Sequence, residues 1–361
     1  MRASTERALK VAGLVLTVHA PCVAAQLPGP PLTATNAVTS FISGTSPTLV
    51  LGLDNNLSIC IAAREWTSLA RLDTLHLGMS GSQRLVFNMF ALLERNPAGE
   101  VRCRLPILSA DQMDTVRQVA GEAATRIAED HAQLVRDVVD ASRLDGAGEQ
   151  AYAIVASYVL DGLVWEQLAA RGLMGPTDAM RHPTGSPLWT GYAWISLRSR
   201  PSFAGTNRHH GNGGEVYVAW TPATEPALAK LATPVMDSIL RSALEKREPT
   251  GDTRIILGKA GLVDDRPFRI PVIGPDSPTA IAARRLALSV GSGIERFLDY
   301  QRLSKALSLT DTTMLTLIAY HELYPTILST LVSRNTLDRP LYFTTGAPLS
   351  EARRAVFVVR Q

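Results

Sequence analysis

The chain has 361 residues, 46% of them hydrophobic and 19% charged, with a formal net charge of +3. That apolar content fills one large core or two medium ones, and it excludes disorder over most of the length, which needs low hydrophobicity and high charge. The charge tells against a protein that condenses polyanions: no run of five basic residues occurs, and the 36 basic residues are 31 Arg and 5 Lys, spread along the chain. The bias toward arginine reflects either a GC-rich genome or planar, bidentate contacts at interfaces. The three cysteines, Cys22, Cys60 and Cys103, exclude a disulfide framework and the multi-cysteine zinc patterns. Cys60 and Cys103 would pair only in an oxidising compartment, and two separate buried thiols are the plainer expectation.

Residues 1–25 match a secretory signal: Arg2, Arg7 and Lys10 precede the apolar run Val11–Val18, and Val23 and Ala25 sit where cleavage before Gln26 needs small residues. The run is too short to span a bilayer. The competing reading is an ordered N-terminal helix docked on a neighbour. Residues 1–48 are expected to form an N-terminal segment that becomes extended in the Pro/Thr/Ser-rich stretch 26–48, and residues 49–361 a single helix-rich α+β domain.

The stretch 49–63 alternates weakly and predicts one or two short strands with a turn at Asp54–Asn56. Leu85, Val86, Met89, Phe90 and Leu93 have helical spacing, which predicts a helix over 83–95 ended by Asn96-Pro97-Ala98-Gly99. Ser109 and Gln112 form a capping box, and the stripe Met113, Val116, Ala120, Ala123, Ile127, His131, Leu134, Val138 predicts one long helix to Leu144. Residues 149–170 read as a central helix, apolar on nearly every side, in which Asp161 must find a partner; Gly172 is its cap.

The aromatic, β-branched stretches around 188–197 and 215–220 predict a β-hairpin near 188–220 joined by a long glycine-rich loop. Helix is expected over 224–247, short strands at 255–257 and 268–273, and a helix opening at Ser277-Pro278 that Gly291-Ser292-Gly293 should kink or break. Asp311 caps a helix through Arg334, bent at Pro325, and 341–344 and 355–359 read as strands. The fold class is therefore mainly α with a subordinate antiparallel β part.

Motifs for chemistry are scarce. There is no phosphate loop. Gly78-Met79-Ser80-Gly81 begins like a nucleophile elbow, but Ser82 stands where glycine is needed. His321-Glu322 lacks the second His four residues on, where Pro325 stands. Asp178 and His182 are spaced i, i+4 in a proline-rich loop, which does not present them on one face. The carboxylates Asp161, Glu166, Glu215, Asp237, Asp264 and Asp265 have no diagnostic spacing. No catalytic, cofactor-binding or metal residues are expected, and no cofactor.

The expectation is a structural, self-assembling protein, most concretely a viral capsid or nucleocapsid-type shell subunit located in the virion. Its partners would be copies of itself, held by the extended N-terminal segment and helix faces, with enclosed nucleic acid bound without sequence readout. With no basic arm, the lumen suits a duplex genome better than condensed single-stranded RNA. Arg198, Arg200, Arg208, His209, His210, Arg284 and Arg285 are the candidate interface or nucleic-acid contacts. The alternative is a secreted or periplasmic hydrolase or ligand-binding protein, with Trp189, Tyr192, Trp194, Tyr217 and Trp220 walling a pocket. A weaker third reading is a nucleoprotein wrapping nucleic acid with scattered arginines.

Overall fold

A computed structural model of the chain describes residues 35–41, 50–175, 189–195, 205–220, 233–259, 261–263, 270–344 and 349–361. The architecture is mainly α with a subordinate β part, as the sequence predicts. Residues 34–361 cluster as one unit. The signal-like residues 1–25, Cys22, Asp178 and His182 lie outside the described residues.

Strand β1 (Thr35–Phe41) is followed by a small core. Here α1 (Asn56–Ala62) replaces the strands expected over 49–63. The buried Asn56 amide donates to the Val50 carbonyl at 2.8 Å and ties down the entry, while Ile59, Cys60 and Ala63 turn inward at helical spacing. That burial overrides the β-branched composition. Next come α2 (Leu69–Thr74) and α3 (Gly81–Met89), the latter started by a Ser80–Gln83 capping box. The helix expected to Leu93 stops at Met89. Ala91 takes a positive φ of 49°, and β2 (Leu93–Arg95) pairs with β3 (Val101–Cys103), so Asn96–Gly99 is a hairpin turn rather than a helix end. The apolar spacing also misplaced the buried face of α3: Gln83 and Phe87 are buried, whereas Leu85 and Met89 are 60% and 65% exposed.

A three-stranded sheet separates this core from a larger one. β5 (Trp189–Ile195) lies between β1, antiparallel to it, and β4 (Ile107–Leu108), parallel to it. Because successive side chains of a strand face opposite sides, Ala193 and Ile107 join the small core, and Tyr192, Trp194 and Leu108 join the large one.

The large core begins with α4 (Ala110–Asp130), which starts at the predicted Ser109–Gln112 box. The long helix expected to Leu144 is interrupted at His131, where φ is −114°, and resumes as α5 (Ala132–Leu144). α6 (Gly148–Ala170) contains a ten-residue π-helical stretch, Ile154–Leu163. By length and hydropathy α6 passes the test for a membrane span, but 61% of its apolar window is buried among other elements, as expected of a core helix. Gly172 ends it with a φ of +70°.

The β-hairpin expected from 188–220 is divided between two sheets. β6 (Gly205–Gly211) occupies part of the expected loop and pairs with β7 (Gly214–Trp220) across Asn212-Gly213, Gly213 having a φ of +86°. α7 (Thr233–Leu244) lies within the helix expected over 224–247, whose residues 224–232 are outside the described set. α8 (Gly251–Lys259) replaces the strand expected at 255–257; Leu257 is buried while Ile255 faces solvent. β8 (Val272–Ile273) precedes α9 (Pro278–Phe297), which starts at the predicted Ser277-Pro278 cap. Its glycines do not break it, and the helix runs on to Phe297. A Cβ on Gly293 would come 3.2 Å from Ile127 and 3.3 Å from the His131 ring, and one on Gly291 3.3 Å from Gln167. They let α9 pack closely against its neighbours.

α10 (Tyr300–Leu307) and α11 (Thr312–Ser333) follow, the latter capped by Asp311 and running through Pro325. Residues Leu341–Phe343 form a 3-10 turn rather than a strand, whereas β9 (Val356–Arg360) is the expected strand and completes the sheet β6-β7-β9-β8.

Candidate functional site

Of the predicted contact residues, Arg198 and Arg200 lie outside the described residues. Arg208, His209 and His210 stand on β6, not in the expected glycine-rich loop. Arg208 Nε and Nη2 each donate to Glu215 at 2.9 Å, and its Nη1 donates to Glu166 at 2.9 Å. Its guanidinium also lies 5.5 Å from the Tyr217 ring centroid. The bidentate geometry is the strong form of this pairing.

Glu215 is buried and is the hub. Besides Arg208, it accepts from the Tyr217 hydroxyl at 2.9 Å and from the Gln361 side chain at 3.1 Å, and His210 Nδ1 is 2.8 Å away. Burial pushes the Glu215 carboxyl up, but the Arg208 hydrogen bonds and charge outweigh it, and the carboxyl titrates below its ordinary range. Burial likewise opposes the charge on Arg208, and the Glu215 bonds overcome it, leaving Arg208 more firmly protonated than usual. Burial first, then the Glu215 charge, raises Tyr217, whose hydroxyl stays protonated.

The second half of the cluster comes from the π-helical part of α6. Asp161 faces the Thr206 side chain on β6 and feels Arg208, yet burial pushes its carboxyl up to about 6. Thr206 and Ser157 place their hydroxyls 3.0 Å apart. The Thr206 hydroxyl donates to the Ser157 hydroxyl. Widened π turns are frequent at functional sites. Here the wide turn brings Gly162 beside Tyr217, whose hydroxyl would stand 3.6 Å from a Cβ at that position.

His209 takes the other face of β6, with Nε2 2.9 Å from Asp237 on α7. His210 has a side chain 63% exposed and is held through Nδ1 by Glu215. That contact fixes the ring against Glu215. Ser157, in the same cluster, is buried and engaged by Thr206. Among the described residues no three His, Cys, Asp or Glu side chains are grouped as metal ligands would be. The arrangement is a proton-holding ionic clamp that fastens β6 and β7 to α6.

The remaining candidates stand apart. Ser80 is the exposed cap of α3. His321 Nδ1 approaches the Leu317 carbonyl at 2.8 Å and its ring packs edge-on against Trp165 and Tyr192. Tyr192, Trp194 and Tyr217 fill the core instead of walling a pocket, and the Trp220 indole donates to Asn207. Arg284 and Arg285 lie on the exposed outer face of α9, Arg284 donating to the Pro275 carbonyl at 2.8 Å.

Sequence reasoning noted Asp161, Glu166 and Glu215 one by one and missed the cluster. The available signal was period two on β6 and β7, which puts Arg208 directly across from Tyr217 in the hairpin. No family model, no curated protein and no solved structure matches the chain.

Proposed function

We propose that the chain is a non-catalytic structural subunit that self-assembles, most concretely a shell subunit of viral capsid or nucleocapsid type. The observation that carries this reading is the outer face of α9. One stripe holds Ile281 and Leu288, 47% and 48% exposed, flanked by exposed Arg284 and Arg285 and, a turn or two on, by Ser292 and Glu295. Exposed aliphatic residues bordered by arginine are an interface composition. In an antiparallel α9–α9 contact about a twofold axis the aliphatic residues of the two copies meet at the centre with the arginines at the rim; Glu295 and Ser292 are already held by Arg171 at 2.7 and 2.8 Å and add no free counter-charge.

A twofold contact alone closes a dimer; a shell needs a second contact elsewhere. Leu85 and Met89, one turn apart on α3 and the most exposed apolar pair on one helix face, supply a second patch in the small core. Among the described candidate arginines, Arg208 is spent inside the subunit, while Arg284 and Arg285 are exposed.

Light scattering after size-exclusion chromatography, with negative-stain imaging, tests the proposal. The wild type is expected to form regular multimers, and Leu288→Asp to reduce them at unchanged far-UV circular dichroism. A monomer at tens of micromolar, or multimers indifferent to Leu288→Asp, overturns it. A mature chain beginning at Gln26 would mark an exported protein and overturn the virion assignment.

A further inference from the structure

Where the small core meets the helical core, a cleft of about 650 Å³ opens between the α1–β3 region and the strand–turn–helix run Arg104–Gln112, with the end of α10 as its third wall. Three guanidinium groups line it, from Arg64, Arg102 and Arg104. Arg102 is occupied: its Nε and Nη2 reach Glu94 at 2.7 and 2.6 Å, and its Cζ sits 4.7 Å over the Trp66 ring. The Arg102–Glu94 pair is neutral as a unit. Arg64 and Arg104 have no hydrogen bond or ion pair from their side chains among the described residues. Arg104 is nevertheless partly buried. With Glu94 assigned to Arg102, Glu65 is the single acid left in the lining against two cations.

A partly buried guanidinium without a counter-charge is costly unless something fills the role. Its five donors in a rigid fork match the oxygens of a phosphate or carboxylate. The capped start of α4 borders the same cleft through Ser109 and Gln112.

We propose that this cleft is a binding site for a small phosphate-bearing anion, held between Arg64 and Arg104. Arg102, fixed by Glu94 and Trp66, forms a rigid wall and not a ligand. Leu105 and Leu309 add apolar lining to the cleft. Pairing with both forks makes binding saturable and sensitive to each arginine. This site is independent of the assembly proposed above, because its residues are not on the α9 stripe.

Titration of the full chain with inorganic phosphate and with pyrophosphate, read by isothermal calorimetry and by thermal shift at constant ionic strength with chloride as the control, tests the site. Saturable binding is expected. Arg64→Gln and Arg104→Gln should each weaken it about tenfold, as loss of one charge-assisted bidentate contact does, and Arg95→Gln, on the exposed strand end outside the cleft, should leave it unchanged. Arg64 is exposed, so Arg64→Gln decides the matter even if Arg104→Gln fails to fold. Absence of saturable binding of either anion, a response matched by chloride, or affinity that survives Arg64→Gln overturns the proposal.

Discussion

Asp161→Asn should make stability less dependent on pH, and the size of the change follows from the ionic clamp. Burial raises the Asp161 carboxyl from 3.8 to about 6 despite Thr206 and Arg208. The folded value lies above the unfolded one, so the contribution of Asp161 is fully present below pH ~4 and is lost as pH rises through ~6. At 1.36 kcal/mol per unit the ionised carboxylate costs about 3 kcal/mol at neutral pH. About 1 kcal/mol of that is already felt at pH 4.5, so the stability gap between variant and wild type should widen by about 2 kcal/mol between pH 4.5 and 7.5. Asparagine keeps an oxygen facing Thr206, and its own constant effect cancels in the difference. For a chain of 361 residues the full 3 kcal/mol corresponds to about 4 °C in melting temperature, from a typical unfolding entropy of ~2.1 cal/mol/K per residue. Urea unfolding of both proteins at the two pH values, taken as a four-cornered cycle, isolates Asp161 from the other titrating groups. A gap that stays constant with pH, or narrows as pH rises, would refute the account of a buried, destabilised carboxylate.

Other features carry expected outcomes of the same kind. Arg208→Gln leaves Glu215 buried without its cation and should cost about 3–5 kcal/mol in urea unfolding at pH 7, and the added Glu215→Gln should recover part of it; additive losses would show that the pair is not a unit. Gly293→Ala should lower the melting temperature, because the new methyl group meets Ile127 and His131 at 3.2–3.3 Å and about 1–3 kcal/mol of overpacking exceeds the roughly 1 kcal/mol gain in helix propensity. A rise in melting temperature would mean that α9 has room to move. The Cys60 thiol, hydrogen-bonded to Cys103 and buried, is pushed up in pKa, so iodoacetamide at pH 8 should label it slowly in the folded chain and rapidly in urea. Equal rates would place it at the surface.

How much the sequence reveals depends on the range of the cause. Ser109–Gln112 and Ser277-Pro278 work within one turn, and both caps stand where the sequence puts them. The π turn around Asp161 has no local signature, because it depends on what Gly162 and Ser157 meet on the hairpin. The clamp joins Glu166 to Arg208, 42 positions apart, through a strand register that composition does not encode. Gly291 and Gly293 look like helix breakers until the neighbouring helices are present to need the space. Leu85 and Met89 have core spacing, yet the buried turn is the one holding Gln83 and Phe87, since the Gln83 amide is drawn in by Asn55 and Asn56. The mainly helical class was legible because it sums many local preferences; the ionic clamp and the basic cleft were not, because each depends on segments distant in sequence meeting.

The central strand also imposes a timetable on synthesis. Phe41 of β1 pairs with Trp189 of β5, 148 positions later. At a synthesis rate of ~5–20 residues per second, β1 spends roughly 7–30 seconds outside the ribosome before its partner exists. The small core can gather around α1–α3 in that interval, before the strand that divides it from the helical core has been made. Until then β1 is an unpaired edge, open to whatever strand is nearest, including the same segment of a chain on the next ribosome.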